Sequence, residues 1–127
     1  MDEPNVLIVD GANVVGSVPD GWWRDRRGAA ERLRDRLALR DEGEEIVLVV
    51  EGAARGVESV PGVRVDEAPG SGDDRIVELA AACAEHGGCV VVTADRELRT
   101  RVRAYGARCV GPRTVRPEMR PDRQDDP

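Results

Sequence analysis

The chain has 127 residues, a length that fits one compact domain with a single hydrophobic core. Its formal net charge of −6 argues against a general surface for binding polyanions. No apolar run approaches the length of a membrane-spanning helix, and the N-terminus lacks the basic and then apolar pattern of a secretion signal. We therefore expect a soluble protein of the cytoplasm with no membrane partner.

Apolar runs and helical periodicity alternate along the chain. In chain order, the expected elements are a strand at 5–9, a loop at 16–23, a helix at 24–40, strands at 46–51 and 63–65, a helix at 72–85, a strand at 89–95, a helix at 96–105 and a strand at 107–111. In the first helix, Ala30, Leu33 and Leu37 show the i, i+3, i+7 spacing of one buried face. Ser71 and Asp74 have the spacing of a capping box, which predicts the start of the second helix.

Strands that alternate with helices indicate a parallel sheet wrapped by helices, an α/β sandwich. We assign residues 1–112 to this domain. Residues 113–127 are rich in Pro, Arg and Asp, so we expect a flexible C-terminal tail. The three cysteines lie in apolar segments without CxxC spacing and are interpreted as reduced core residues: Cys83, Cys89 and Cys109.

Acidic side chains stand where the predicted strands end. Asp10 follows the first strand, and Asp95 ends the run "CVVVTAD". Asp73 and Asp74 begin a helix, and helices of this architecture begin at the same edge of the sheet, where ligands bind. Asn13 lies on the same predicted loop as Asp10. The sequence therefore predicts one acidic rim at the carboxyl edge of the sheet.

Carboxylates that are brought together repel one another, so either their pKa values rise or a cation lies among them. Oxygen ligands without His or Cys suit Mg²⁺ or Mn²⁺, and the natural chemistry is metal-assisted hydrolysis of a phosphodiester. A plainer interpretation stays open for each residue. Asp73 and Asp95 could be only helix N-caps, and Asp10 could bind only the amides of its own turn. Glu51 ends the second strand at the same rim and could join these acids, but it is interpreted as solvated. Glu97 is interpreted as an ordinary acid in the first turn of a helix.

Three blocks of the chain carry a family resemblance: "LIVDGANVV", "GSGDDRIVELA" and "VVVTADRELRTRV". In this order they resemble the NYN domain, in particular its YacP-like branch, within the PIN-like nuclease superfamily. The match runs from Val6 to about Gly111. The resemblance implies a three-layer α/β/α sandwich with a mostly parallel sheet, a divalent cation (Mg²⁺ or Mn²⁺) and ribonuclease activity.

The resemblance also implies roles for particular residues. Asp10, Asp74 and Asp95 would be metal-binding acids and Asp73 a further catalytic acid, while Asn13 would orient substrate or a metal-bound water and Thr93 would offer a hydroxyl at the rim.

The stretch "DGWWRDRR" is the other unusual feature of the chain. Trp22 and Trp23 are adjacent, so one could fill the core while the other offers a flat face to a nucleobase. Arg24 and its neighbours could bind phosphate, and we favour Arg96 as a further phosphate contact. The plainer alternative is that the tryptophans pack the start of the helix and the arginines are solvated.

We therefore predict a small metal-dependent ribonuclease with RNA as its partner. Two alternatives are a PIN-like module that binds RNA or protein without cleavage, and a hydrolase of a small phosphorylated nucleotide. PIN-like domains also form homodimers, and a partner protein could supply the basic surface that this acidic chain lacks. A catalytic role is not assigned to His86, which is predicted at a helix C-terminus, where a cation is favoured in any case.

Overall fold

The computed structural model describes residues 5–40, 42–85 and 88–116. Within these residues the strands are β1 (Val6–Asp10), β2 (Glu45–Val50), β3 (Val63–Glu67), β4 (Cys89–Val92) and β5 (Arg108–Val110). The α-helices there are α1 (Gly11–Val15), α2 (Arg26–Leu37), α3 (Gly72–Ala84) and α4 (Arg96–Arg103). Short 3₁₀ turns occupy Trp22–Arg24, Gly52–Ala54 and Pro112–Thr114.

The strands form one sheet in the order β3-β2-β1-β4-β5, and every neighbouring pair of strands is parallel. β1 is central, and its Ile8 pairs with Val47 of β2 and with Val91 of β4. After β3 the chain returns across β1 to form β4, which creates a switch point between β1 and β4. α/β sheets bind ligands outside the carboxyl ends of strands at such a point.

Two hydrophobic cores lie on opposite faces of the sheet, because successive side chains of a strand point to opposite faces. On one face, Leu7, Val9 and Leu48 pack in a cluster with residues of α1 and α2. On the other face, Ile8 and Val91 pack with residues of α3 and α4. Burial of each such side chain contributes about 1.5–3 kcal/mol of hydrophobic stabilisation. The structure thus confirms the predicted three-layer α/β/α sandwich.

Element boundaries differ from the prediction at two places beside the acidic rim. α1 occupies Gly11–Val15, where only a loop was expected, because five residues are too few to show a helical period. The carboxylate of Asp10 caps this helix by accepting from the amide of Asn13 at 3.3 Å. β4 ends at Val92 rather than at residue 95, because Asp95 serves as the N-cap of α4.

The packed part of the chain extends past the expected domain boundary at residue 112. Val115 is buried in the same core as α2, and the turn Pro112–Thr114 leads to it. Most of the predicted tail, residues 117–127, lies outside the described residues, as does His86. In the part of the chain that the structure describes, no helix is both long and apolar enough to cross a membrane.

The cysteines are free thiols in the packed interior, as predicted. Cys89 is buried, and Cys83 and Cys109 are half-buried. Burial, together with a hydrogen bond to Cys83, raises the pKa of the Cys89 thiol to about 12. A thiol with such a pKa stays protonated and unreactive near neutral pH.

Candidate functional site

Asp10 is the centre of the acidic rim. It is the last residue of β1, only 6% of its surface is exposed, and both of its carboxylate oxygens are held. Thr93 Oγ1 donates to Oδ2 at 2.8 Å, and the Asn13 amide donates to Oδ1 at 3.3 Å. Burial raises the pKa of Asp10 to about 6. The two hydrogen bonds lower this pKa, and the charges of Asp73 and Glu51 raise it further.

Thr93 positions Asp10 and does not reach the surface. Its side chain is fully buried, and its Oγ1 also accepts from the amide of Asp95 at 3.1 Å. The hydroxyl of Thr93, which the resemblance implied at the rim, is therefore buried and engaged by Asp10 and Asp95. A hydroxyl between two site residues links the end of β1 to the start of α4 instead.

Asn13 makes a second link across the switch point. Its side-chain oxygen accepts from the amide of Ala94 at 2.9 Å, so α1 is tied to the connection between β4 and α4. The side-chain NH₂ group of this half-buried residue is the part that could donate to a substrate. Because Asn13 and Thr93 make separate bonds across the same gap, the rim is held in place before any ligand arrives.

The structure separates the two adjacent acids of α3. Asp73 is half-buried, and its pKa is raised by burial and then by the charges of Asp95 and Glu51. Asp74 points away: its side chain is 69% exposed and forms an ion pair with Arg101 at 3.0 Å. The geometry therefore favours Asp73 over Asp74 as the α3 acid of the rim, whereas the family resemblance implied Asp74 as the metal ligand.

The start of α3 is fixed by bonds to both neighbouring segments. Ser71 caps the helix through the Asp74 amide at 3.1 Å, as predicted. Arg75 binds Asp66 of β3 through two bonds of 2.8 and 3.0 Å, and these bonds hold the pKa of Asp66 below its ordinary value. These contacts set the direction in which Asp73 leaves the helix.

Glu51 is a member of the rim, although the sequence interpretation favoured a solvated acid. It follows β2, is half-buried, and accepts a hydrogen bond from the amide of Gly72, the first residue of α3. A Cβ on Gly72 would meet this carboxylate and displace the Glu51 side chain. The signal was present, because Glu51 ends a buried strand next to β1 just as Asp10 ends β1.

Asp95 and Arg96 lie where α4 begins. Asp95 caps the helix by accepting from the amide of Leu98 at 3.0 Å, so the plainer N-cap role is real. Its charge also raises the pKa of Asp73, so Asp95 both caps α4 and belongs to the rim. Arg96 is exposed in the first turn of α4, beside the acids.

The rim residues carry the type of donor that a hard divalent cation prefers. Their donors are carboxylate oxygens, and the mutual repulsion of Asp10, Glu51, Asp73 and Asp95 is what a cation would relieve. Among the described residues, no three His, Cys, Asp or Glu side chains form a ready ligand group. Mg²⁺ does not need one, since it commonly binds through one or two carboxylates and keeps several waters.

The two tryptophans differ in exposure. Trp22 packs against the core under α2, while Trp23 is 49% exposed. Their rings meet edge to face with centroids 5.8 Å apart. Arg26 lies over the Trp22 ring at 4.9 Å and the exposed Arg24 over the Trp23 ring at 5.9 Å. This aromatic and cationic group borders the acidic rim through α1.

No protein-family model matches this sequence, and no curated protein sequence matches it at a significant level. Two solved structures of Rae1 (YacP) from Bacillus subtilis, one of them a point mutant, are similar to it. The wild-type structure has a TM-score of 0.76 and the mutant structure 0.74, and each is 24% identical to this chain in sequence. Each match covers 94% of this chain, and covers 74% of the wild-type and 75% of the mutant chain. This chain therefore has the fold of Rae1 (YacP), which confirms at the level of fold the resemblance to the YacP-like branch of the NYN domain.

Proposed function

We propose that this protein is a divalent-metal-dependent ribonuclease whose active site is the acidic rim at the carboxyl edge of the sheet. The observation that carries the proposal is the buried carboxylate of Asp10, which faces the charges of Glu51 and Asp73. Gathering like charges in a partly desolvated place costs stability, so such a cluster points to a cationic ligand. The shared fold with Rae1 (YacP) and the sequence resemblance to a nuclease superfamily support the same conclusion.

Asp10, Asp73 and Asp95 would hold Mg²⁺ or Mn²⁺, with Glu51 adding negative charge beside them. When bound, the cation would offset charge on the phosphodiester and supply an activated water for its hydrolysis. Thr93 and the Asn13 amide keep the Asp10 oxygens in place, so little reorganisation is needed when the ligand binds.

Substrate phosphates would be bound at the border of the rim. Arg96 is exposed next to Asp95 and could form a bidentate contact with a phosphate. The NH₂ group of Asn13 could donate to an oxygen of the same strand. The chain carries a net charge of −6, so its surface as a whole would not attract RNA. Arg96 and a bound metal ion would attract RNA only locally.

The adjacent acids of α3 provide a matched test. Purified protein is mixed with labelled single-stranded and structured RNA in Mg²⁺, Mn²⁺ or EDTA, and Asp73→Asn and Asp74→Asn are compared with the wild type. Both variants remove one charge from the same helix turn. We expect cleavage only with metal, a loss on the order of 100-fold for Asp73→Asn, and a change of no more than a few-fold for Asp74→Asn.

The outcomes separate the remaining alternatives. RNA binding in EDTA without any cleavage would indicate a non-catalytic binding module. Hydrolysis of mononucleotides but not of RNA would indicate a small-molecule phosphohydrolase. Cleavage that persists undiminished in Asp73→Asn and Asp95→Asn would come from a contaminating nuclease and would count against the proposal.

A further inference from the structure

A cleft opens beside the acidic rim, between α1, α2 and the turn that follows β2. One wall is formed by the ring of Trp22 and the side chain of Arg26, and the other by small residues such as Ala54. Its cavity volume is about 150 Å³. An apolar cavity of roughly this volume accepts one benzene ring, so one aromatic ring of a ligand fits here.

The cleft and the rim share residues. Glu51 lines the cleft and also interacts with Asp10 and Asp73. Gly11, which directly follows Asp10, lines it as well. The part of a ligand that extends from the cleft would therefore lie close to the acids of the rim.

The chemistry of the wall suits a nucleobase. Unpaired bases stack on aromatic rings and on the planes of arginine guanidinium groups. Trp22 and Arg26 both line the cleft, and the guanidinium group of Arg26 lies over the Trp22 ring, 4.9 Å from its centre, so the two side chains form one joint aromatic and cationic surface. The edge-to-face contact with Trp23 further fixes the Trp22 ring.

We propose that this cleft binds one unpaired nucleobase of the RNA and thereby places a neighbouring phosphodiester at the acidic rim. The inference rests on the proposed ribonuclease function and adds a requirement to it. The substrate must be single-stranded at the cleaved position, because a base paired in a duplex cannot leave its stack without an energetic cost.

Tryptophan fluorescence gives a test that does not depend on cleavage. The chain has two tryptophans, so the variant Trp23→Phe retains Trp22 as its only reporter. CMP and UMP, whose bases are single rings, are titrated into this variant, and ribose 5-phosphate serves as the ligand that lacks a base. We expect quenching by both nucleotides and none by ribose 5-phosphate. Equal quenching by all three ligands, or by none, would overturn the proposal.

Two arginines of α2 supply a matched pair for RNA cleavage. Arg26 lines the cleft, whereas Arg32 is exposed on the same helix and lines a different one. Arg26→Ala and Arg32→Ala remove the same charge. We expect Arg26→Ala to lower kcat/KM on single-stranded RNA by about tenfold, the scale of one stacked base, and Arg32→Ala by less than twofold.

The two proposals fail in different ways. Normal metal-dependent cleavage with equal effects of Arg26→Ala and Arg32→Ala would overturn the base site and leave the ribonuclease intact. Absence of cleavage, with nucleotide quenching that Arg26→Ala weakens and Arg32→Ala does not, would support the base site and overturn the ribonuclease.

Discussion

At the scale of single residues, the buried carboxylate of Asp10 has a free-energy cost at neutral pH. Its pKa of about 6 in the folded protein lies above its ordinary value of 3.8, chiefly because the carboxylate is buried. The folded state therefore favours the protonated form. This contribution to stability is fully present below about pH 4 and is lost as pH rises through 6.

Asp10→Asn should reveal that cost. In metal-free protein at pH 7.5, we expect the variant to raise the free energy of unfolding by about 2 kcal/mol, because Asn retains the shape without the charge. At pH 4.5 the difference between variant and wild type should shrink to a fraction of this. Urea unfolding at the two pH values measures it, and a difference that is the same at both would contradict the assigned pKa.

At the scale of elements, the sequence predicted which segments form the sheet but not how their ends are arranged. Long apolar runs such as residues 46–51 reveal a buried strand, because both faces of a parallel sheet are covered. The five residues of α1 carry no such signal. The choice between Asp73 and Asp74 was hidden for a related reason. Adjacent helical positions differ by about 100° in direction, and the rotation of α3 is set by the packing of Ile76 and Ala80 in the core.

The junction of β1 and α1 provides an element-scale prediction. A Cβ on Gly11 would lie 2.5 Å from the backbone oxygen of Val49 in β2, which cannot move aside cheaply. We expect Gly11→Ala to destabilise the protein by about 1–3 kcal/mol, because α1 must shift away from the sheet. Gly70→Ala is the control, since nothing lies within 4 Å of its added Cβ. Equal urea midpoints for the two variants would show that α1 is not held against β2.

At the scale of the whole molecule, the acids converge at one edge of a chain whose net charge is already −6. A cation that binds the folded state and not the unfolded chain must stabilise the fold. A change in the stability of the whole protein would therefore indicate that a cation has bound. Stability measured with and without metal becomes a binding assay that needs no substrate.

We expect Mg²⁺ at 100 times its dissociation constant to add about 2.7 kcal/mol of stability, a rise in Tm of roughly 8 °C for a domain of this size. NaCl at equal ionic strength should have a much smaller effect, because it screens the acids without occupying the site. Asp73→Asn should lose most of the Mg²⁺ response. A response of the variant equal to that of the wild type would place the cation elsewhere.

The position of β1 has a consequence for the order of assembly. β1 leaves the ribosome first but lies in the middle of the sheet, and its Asp10 meets Thr93 only across 83 residues of sequence. β1, β2 and β3 can pair while Asp95 is still unsynthesised. Part of the repulsion among the acids is therefore deferred until β4 and α4 dock, when Val91, Leu98 and Val102 join the hydrophobic core. In a nascent chain of this protein, the first three strands can pair before the acidic rim is complete.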